Sequence, residues 1–371
     1  MNKTTAKPAI APGKKPKPLR LGFVPLTDCA PLVMARELGL FAKHGLQVEL
    51  KRELGWATIR DKIIYGELDA AHAVAGIAFA ATFGLGSIPC PCVTGLVLNL
   101  HGNAITLSRE LWENGVRDVK TLREAIVKSR GRKVFTFGAV FPFSSHNFLL
   151  RQWLAGGGID PDRDVRIVVV PPPQMVANLE AGHLDGYCVG EPWNSVAVHR
   201  EIGWCAATSA QLAPGHPEKV LLVRRRFAEE RSHEHLALIA ALLEACAYCD
   251  RPANADRIIT TLDRPEYLNR PSGSSTPGLG GLFDFGFGRV ESVPDFHVFH
   301  RRGANNPSPD KAAWITRMIV QHGLAPDRSV FQSEDARQIF RPDIFRAARQ
   351  FAGEAGLPGD NIEAENGFTH V

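Results

Sequence analysis

The chain has 371 residues, 44% of them hydrophobic and 22% charged, with a formal net charge of +4. That is enough apolar material for two cores, and no apolar run approaches the length of a membrane-spanning helix, so the composition argues against a disordered chain and against a bundle of transmembrane helices. The charge is uneven: of 43 Lys and Arg, six (Lys3, Lys7, Lys14, Lys15, Lys17 and Arg20) precede any acid, so the body is slightly acidic and unlike a nucleic-acid-binding surface.

Residues 1–18 are rich in charge and Pro and read as a disordered basic arm. This arm lacks the apolar core and small-residue cleavage site of a secretory signal, so the chain is expected in the cytoplasm. From residue 19 the pattern becomes regular. A short apolar strand (LRLGFV) leads through a polar turn into an amphipathic helix, then a Gly-marked break, a second strand (GLQVEL) and a helix ending at Gly66-Glu67-Leu68-Asp69. These elements open a first lobe over residues 19–107. NAITLS (Asn103–Ser108) reads as a strand leaving it. Residues 108–218 then form a second lobe in the same order, with strands in KVFTFG and DVRIVVV and a helix ending at Gly182-His183-Leu184-Asp185. HPEKVLLV offers a returning strand, Val220–Val223. Residues 219–371 go back to the first lobe and are mainly helical, interrupted by a long irregular loop over 264–310.

The two lobes are copies of one unit. Gly66-Glu67-Leu68-Asp69-Ala70-Ala71 returns as Gly182-His183-Leu184-Asp185-Gly186-Tyr187, 116 residues later, and Leu21-Gly22-Phe23 returns as Phe137-Gly138-Ala139. Two β-α-β-α-β runs predict two α/β lobes with largely parallel sheets facing each other across a cleft, with ligands gathered at strand ends and helix N-termini. Asp69 and Asp185 then read as structural turn residues. The seven cysteines are odd in number and scattered, as suits a reducing compartment, and Cys246-Ala-Tyr-Cys249 reads as buried helical thiols. No phosphate loop, HExxH or G-x-S-x-G elbow is present, and no spacing of His and Cys resembles a metal site, so the sequence points away from an enzyme and calls for no cofactor.

LRLGFVPLTDCAPLVMARELGLFAKHGL, GWATIRDKIIYGELDAAH, FPFSSHNFLLRQWLAGGGIDPDRDV, VVVPPPQMVANLEAGHLDGYCVGEPWN and HPEKVLLV together resemble the nitrate/bicarbonate-binding proteins of the NrtA/CmpA type. The resemblance runs in order through residues 19–225. It implies an α/β, two-lobed type II periplasmic-binding-protein fold with two crossover hinge strands. It also places the ligand groups for nitrate or nitrite at Trp56, Asn103, His146, Gly190 and Lys219. A planar monoanion with weak acceptors round its rim needs donors in its plane and one modest positive charge. Trp56 can donate its indole N–H and wall the anion off, Asn103 its amide, and His146 a ring N–H beside free helix N–H groups, while Gly190 lets backbone approach and Lys219 supplies the cation. The transport proteins of the family commonly have Gln where this chain has Asn103, and the bicarbonate branch departs at the Lys219 position and uses calcium. Asp28, Glu191 and Trp193 border this site with no direct contact expected.

The resemblance also sets the role. The family has exported receptors that serve ABC transporters and a cytoplasmic sensor branch of the NasS type, which holds a NasT-type antiterminator response regulator inactive until the anion binds. With ligand motifs and no export features in its sequence, the chain is expected in the sensor branch, without direct nucleic-acid or membrane contact. The alternative is the substrate-binding component of a nitrate ABC transporter.

Overall fold

The computed structural model describes residues 17–269 and 278–354, so all but the last two residues of the expected disordered arm lie outside it. The first lobe carries β1 (Leu19–Phe23), β2 (Val48–Arg52), β3 (Ala70–Val74), β4 (Cys92–Val93) and β5 (Val97–His101). The second carries β6 (Asn103–Ser108), β7 (Thr136–Ala139), β8 (Arg166–Val169), β9 (Gly186–Gly190) and β10 (Gly203–Thr208). The chain returns through β11 (Pro217–Arg224), forms a hairpin of β12 (Leu282–Gly286) and β13 (Arg289–Ser292), and ends its strands with β14 (His297–Val298).

Strand order is β14-β5-β11-β3-β1-β2 in the first sheet, with β4 also on β11, and β10-β6-β9-β7-β8 in the second. Each lobe therefore has a parallel triple, β2-β1-β3 or β8-β7-β9. Each triple is extended by an antiparallel strand adjoining a crossing: β11 on β3, and β6 on β9. The expected parallel sheets are limited to these triples. Strands entering straight from the other lobe have no crossover helix to reverse them, and they run antiparallel.

The first crossing falls at Gly102, between β5 and β6, so Asn103–Leu107 belong to the second lobe and not to the first lobe's 19–107. The return strand likewise begins at Pro217, ahead of the expected Val220 and of the expected return to the first lobe at residue 219. His101 joins the two crossings. It sits at φ 58, its Nδ1 lies 2.8 Å from the Asp295 carbonyl, and its Nε2 accepts the Gly215 N–H at 2.6 Å. With Nε2 accepting, the ring proton belongs on Nδ1.

The repeat is reproduced bond for bond. Asp69 accepts the Arg20 N–H at 2.9 Å, and Asp185 accepts the Thr136 N–H at 2.8 Å. A Cβ on Gly22 would lie 2.4 Å from Leu68 Cδ1, and one on Gly138 would lie 3.0 Å from Leu184 Cδ1. In Gly-x-Leu-Asp, then, the Leu occupies the space left by a strand glycine and the Asp ties down the start of that strand. Gly66 and Gly182 make the turn at φ 75 and 72, a region other residues avoid.

Helix starts follow their sequence signals. Ser144 caps the helix Ser145–Gly156 by accepting the Asn147 N–H, and Asp118 and Thr121 form a capping box on Val119–Lys128. The long helix Ser232–Cys249 packs on Ala30–Glu37 and on Pro342–Glu354 in the first lobe and buries Cys246 and Cys249. Not all of the C-terminal third stays on the first lobe as expected. Residues 282–292 are a β-hairpin within the predicted loop, and Phe283 and Phe285, with Phe296, pack against Ala104, Val198 and Cys205 of the second lobe. Their alternation in LFDFG is a strand signal that the surrounding glycines obscure. Trp314, in the helix Pro309–Gln321, also meets Phe148 of the second lobe, with 6.2 Å between ring centroids.

The lobes touch across the cleft. Thr27 N–H donates to the Glu191 carbonyl at 2.7 Å. A Cβ on Gly76 would lie 1.9 Å from the Phe143 carbonyl oxygen, so only glycine permits this approach of the two walls.

Candidate functional site

The strand ends and helix starts of both lobes converge at this contact. Asp28 lies in the 3-10 turn Thr27–Cys29 after β1, His72 is the middle residue of β3, and Trp56 opens the helix Trp56–Ile64. From the second lobe come Ser145 and His146, the first two residues of their helix, and Gly190, the last residue of β9, paired with Asn103 at the start of β6. Glu218 and Lys219 come from β11. Consecutive strand residues normally point to opposite faces. Here the β11–β5 register shifts on both sides of Lys219, and this bulge lets both side chains enter the cleft.

Lys219 is 0% exposed and sits between two carboxylates, its Nζ 2.7 Å from Asp28 and 2.6 Å from Glu218. Its ammonium also lies 5.3 Å from the centre of the Trp56 ring, a cation–π contact. Asp28 accepts from His72 Nε2 at 2.8 Å. Glu218 accepts from Asn103 at 2.6 Å, and Ser145 Oγ donates to the same oxygen. His216 Nε2 lies 3.2 Å from that oxygen. Glu218 thus ties a crossing strand and the second lobe's helix to β11.

The ion pairs set the protonation states. Lys219 and the imidazoles overcome burial and hold both carboxyls well below their ordinary range, and the two carboxylates raise Lys219 despite its burial. Burial lowers His72, and it brings His146 down to about 4. Both imidazoles are therefore neutral near pH 7. His72 donates Nε2–H to an ionised carboxylate, which leaves its Nδ1 as an acceptor. Several buried polar atoms find no hydrogen-bond partner: Trp56 Nε1, both ring nitrogens of His146, His72 Nδ1, Asn103 Oδ1 and Thr27 Oγ1. Polar groups buried together in this way can be satisfied by a small polar ligand.

The structure brings Trp56, Asn103, His146, Gly190 and Lys219 together around one closed cleft. Two of them differ from what their residue types promise. Lys219 is a compensated cation, and Asn103 donates one amide hydrogen to Glu218. Asp28, read as a bordering residue, instead makes an ion pair with Lys219. His72, Ser145 and Glu218 were not singled out. His72 had a signal, being the one polar residue in the fully buried strand AAHAV. Glu218 had none, because alternation along β11 places it opposite Lys219. Two thiols close to these elements, Cys29 and Cys188, are buried, and burial pushes both well up.

A two-lobed fold of paired 2-1-3 sheets around a buried polar cluster defines a binding protein of the periplasmic-binding-protein type. A solved relative agrees: the periplasmic nitrate-binding protein NrtA from Synechocystis PCC 6803 superposes with a TM-score of 0.84 at 29% identity, over 90% of this chain and 88% of that one. The chain belongs to the NMT1-like family, whose pattern it matches over residues 12–263. It is 44% identical over 92% of its length to the nitrate import ATP-binding protein NrtC of Synechocystis, of which it covers 51%. It is 32% identical over 97% of its length to the nitrate/nitrite binding protein NrtA of Nostoc, of which it covers 83%. The chain thus spans about half the length of the NrtC relative and most of the NrtA relative.

Proposed function

We propose that the cleft binds nitrate or nitrite and that the lobes close on it. The observation that carries this reading is the unsatisfied donor set beside a buried cation: Trp56 Nε1 and the ring of His146 lack partners next to Lys219. Trp56, Asn103, His146, Gly190 and Lys219 are its proposed ligand residues. The nitrate- and nitrite-binding relatives support the same ligand class. Titration calorimetry with nitrate, nitrite, bicarbonate and sulfate tests it. Heat with the nitrogen oxyanions is the expected result, and silence with both, on folded protein, refutes it.

The chain's role is then to report the bound anion. The sensor reading, in which closure releases a NasT-type antiterminator regulator in the cytoplasm and so controls nitrate assimilation genes, draws on the sequence resemblance and on seven free thiols, six of them buried. Binding without catalysis is part of this reading. The import proteins among the relatives favour a second role, as the ligand-binding part of a nitrate transporter. Co-purification separates the two: an RNA-binding regulator that dissociates when nitrate is added supports the sensor, and transport subunits alone support the second role.

A further inference from the structure

The cleft is over-supplied with negative charge before any ligand arrives. Asp28 and Glu218 are both ionised around a single ammonium, that of Lys219. Glu191, an acid of the second lobe's rim, accepts from Ser195 Oγ at 2.6 Å. A monoanion beside Lys219 would place three negative charges round one positive in a region closed to water. The N-terminus of the helix Ser145–Gly156 offsets only about half a charge.

Building on the anion reading above, we propose that the ligand enters together with one proton, held by His146 between the anion and Glu218. The geometry suits this role. His146 is fully buried, its Nδ1 lies 3.7 Å from Glu218 Oε1, and neither ring nitrogen has a hydrogen-bond partner. A neutral ring has one donor. An imidazolium has two, one for the carboxylate and one for the anion. The charged and titratable groups facing the ring are Glu218, Lys219 and His216 on or beside β11, and Asp28 in the first lobe. The two carboxylates favour the imidazolium, and Lys219 and His216 oppose it. His72 is the competing site, with Nε2 on Asp28 at 2.8 Å and Nδ1 without a partner, and the His146→Asn variant separates the two.

Glu218 then becomes the residue that sets the charge of the acceptable ligand: a bare anion is disfavoured, an anion with a proton is accepted. Burial brings His146 down to about 4, and a negative charge beside the ring raises it. Between those two values the complex holds a proton that the empty protein does not, so affinity falls as pH rises.

Nitrate is the right probe because it carries no proton of its own near neutrality. Calorimetry of the full chain in two buffers of different ionisation heat is expected to show uptake of about one proton per nitrate, with affinity falling about tenfold per pH unit between roughly pH 5 and 7. Glu218→Gln is expected to bind without proton uptake and with a flat pH profile, and His146→Asn to lose the pH slope. To keep the test independent of how either variant folds, 15N spectra of the histidines in the unaltered chain provide a second readout, an imidazolium appearing at His146 when nitrate is added at about pH 6. Binding without proton exchange in the unaltered chain overturns the proposal, as does uptake that survives in His146→Asn. No heat with nitrate or nitrite on folded protein refutes the anion reading itself, and the proton with it.

Discussion

In the first lobe the strand clamp of Asp69 and Arg20 stands behind a cleft wall bearing Asp28 and His72, joined by Glu218 and Lys219 from β11. In the second lobe the equivalent clamp of Asp185 and Thr136 stands behind a wall bearing Ser145, His146 and Gly190, none with a fixed charge. Positions 72 and 188 are counterparts in the repeat, one a histidine aimed at Asp28 and the other a buried cysteine. One scaffold used twice has thus been divided into a charged half, assembled and neutralised in advance, and a neutral half that brings donors when the lobes meet. That division lets the first lobe keep its ion pairs while the second moves.

Removing Lys219 breaks the charged half outright. As a free cation it would be dispensable to the fold. As the shared partner of two buried carboxylates it is not, and Lys219→Met should abolish anion binding, by on the order of a hundredfold or more. The same change should lower the stability of the empty protein by about 3–5 kcal/mol, since two buried charges lose their counter-ion. Calorimetry and thermal melts read both effects. Loss of binding with an unchanged melting temperature would show that the ion pairs are absent from the empty form.

Gly76 tests the meeting of the halves. Gly76→Ala inserts a methyl 1.9 Å from the Phe143 carbonyl, so the walls cannot close as they do here. Affinity should fall at least about tenfold, roughly 1.4 kcal/mol of lost closure energy. Each lobe should keep its own stability, and small-angle scattering should show a more open particle with ligand present. Unaltered affinity would mean that the bound form does not use this contact.

The paired clamps test whether the repeat is symmetric in energy as well as in shape. Asp69→Asn and Asp185→Asn each weaken one charge-assisted bond to a strand-start N–H, and each should cost about 1–2 kcal/mol without changing affinity. The Asp69 ion pair with Arg20 is partly exposed, and screening limits what it adds. Arg20 holds the Asp69 carboxyl below its usual range despite burial, so this contribution is present at neutral pH and is lost as pH falls through the acid range. Urea titrations at about pH 7 and about pH 3 should therefore show the Asp69→Asn difference shrinking at the lower pH.

The fold was legible because its determinants are local and repeated. Gly22 with Leu68 and Asp69, and Gly138 with Leu184 and Asp185, spell the same clamp twice, and strand and helix periodicities fill the spaces between. The site was legible only in part. Trp56 and His146 announce themselves by standing at helix starts, and Gly190 by ending a strand. Glu218 was hidden by the bulge that turns it to the same side as Lys219, and no periodicity predicts a bulge. Asp28 was visible as a residue, but its pairing with Lys219 joins positions almost two hundred apart. The hairpin at residues 282–292 was obscured because its glycines read as loop.

The smallest expected effect concerns Trp56, and it bears on whether the neutral donors wait unsatisfied for the ligand. Its indole N–H is buried without a protein partner, whereas its ring packs beside Lys219 and His72. Trp56→Phe keeps an aromatic face and removes the donor. If the N–H is reserved for the anion, affinity should fall several-fold, corresponding to about 1 kcal/mol for one hydrogen bond. The empty protein should meanwhile lose little stability, because the loss of packing is offset by the removal of an unsatisfied buried donor. Matched melts and nitrate titrations of the two proteins measure both sides. A variant that loses stability yet binds as before would make Trp56 a core residue and would leave the anion to the other proposed donors.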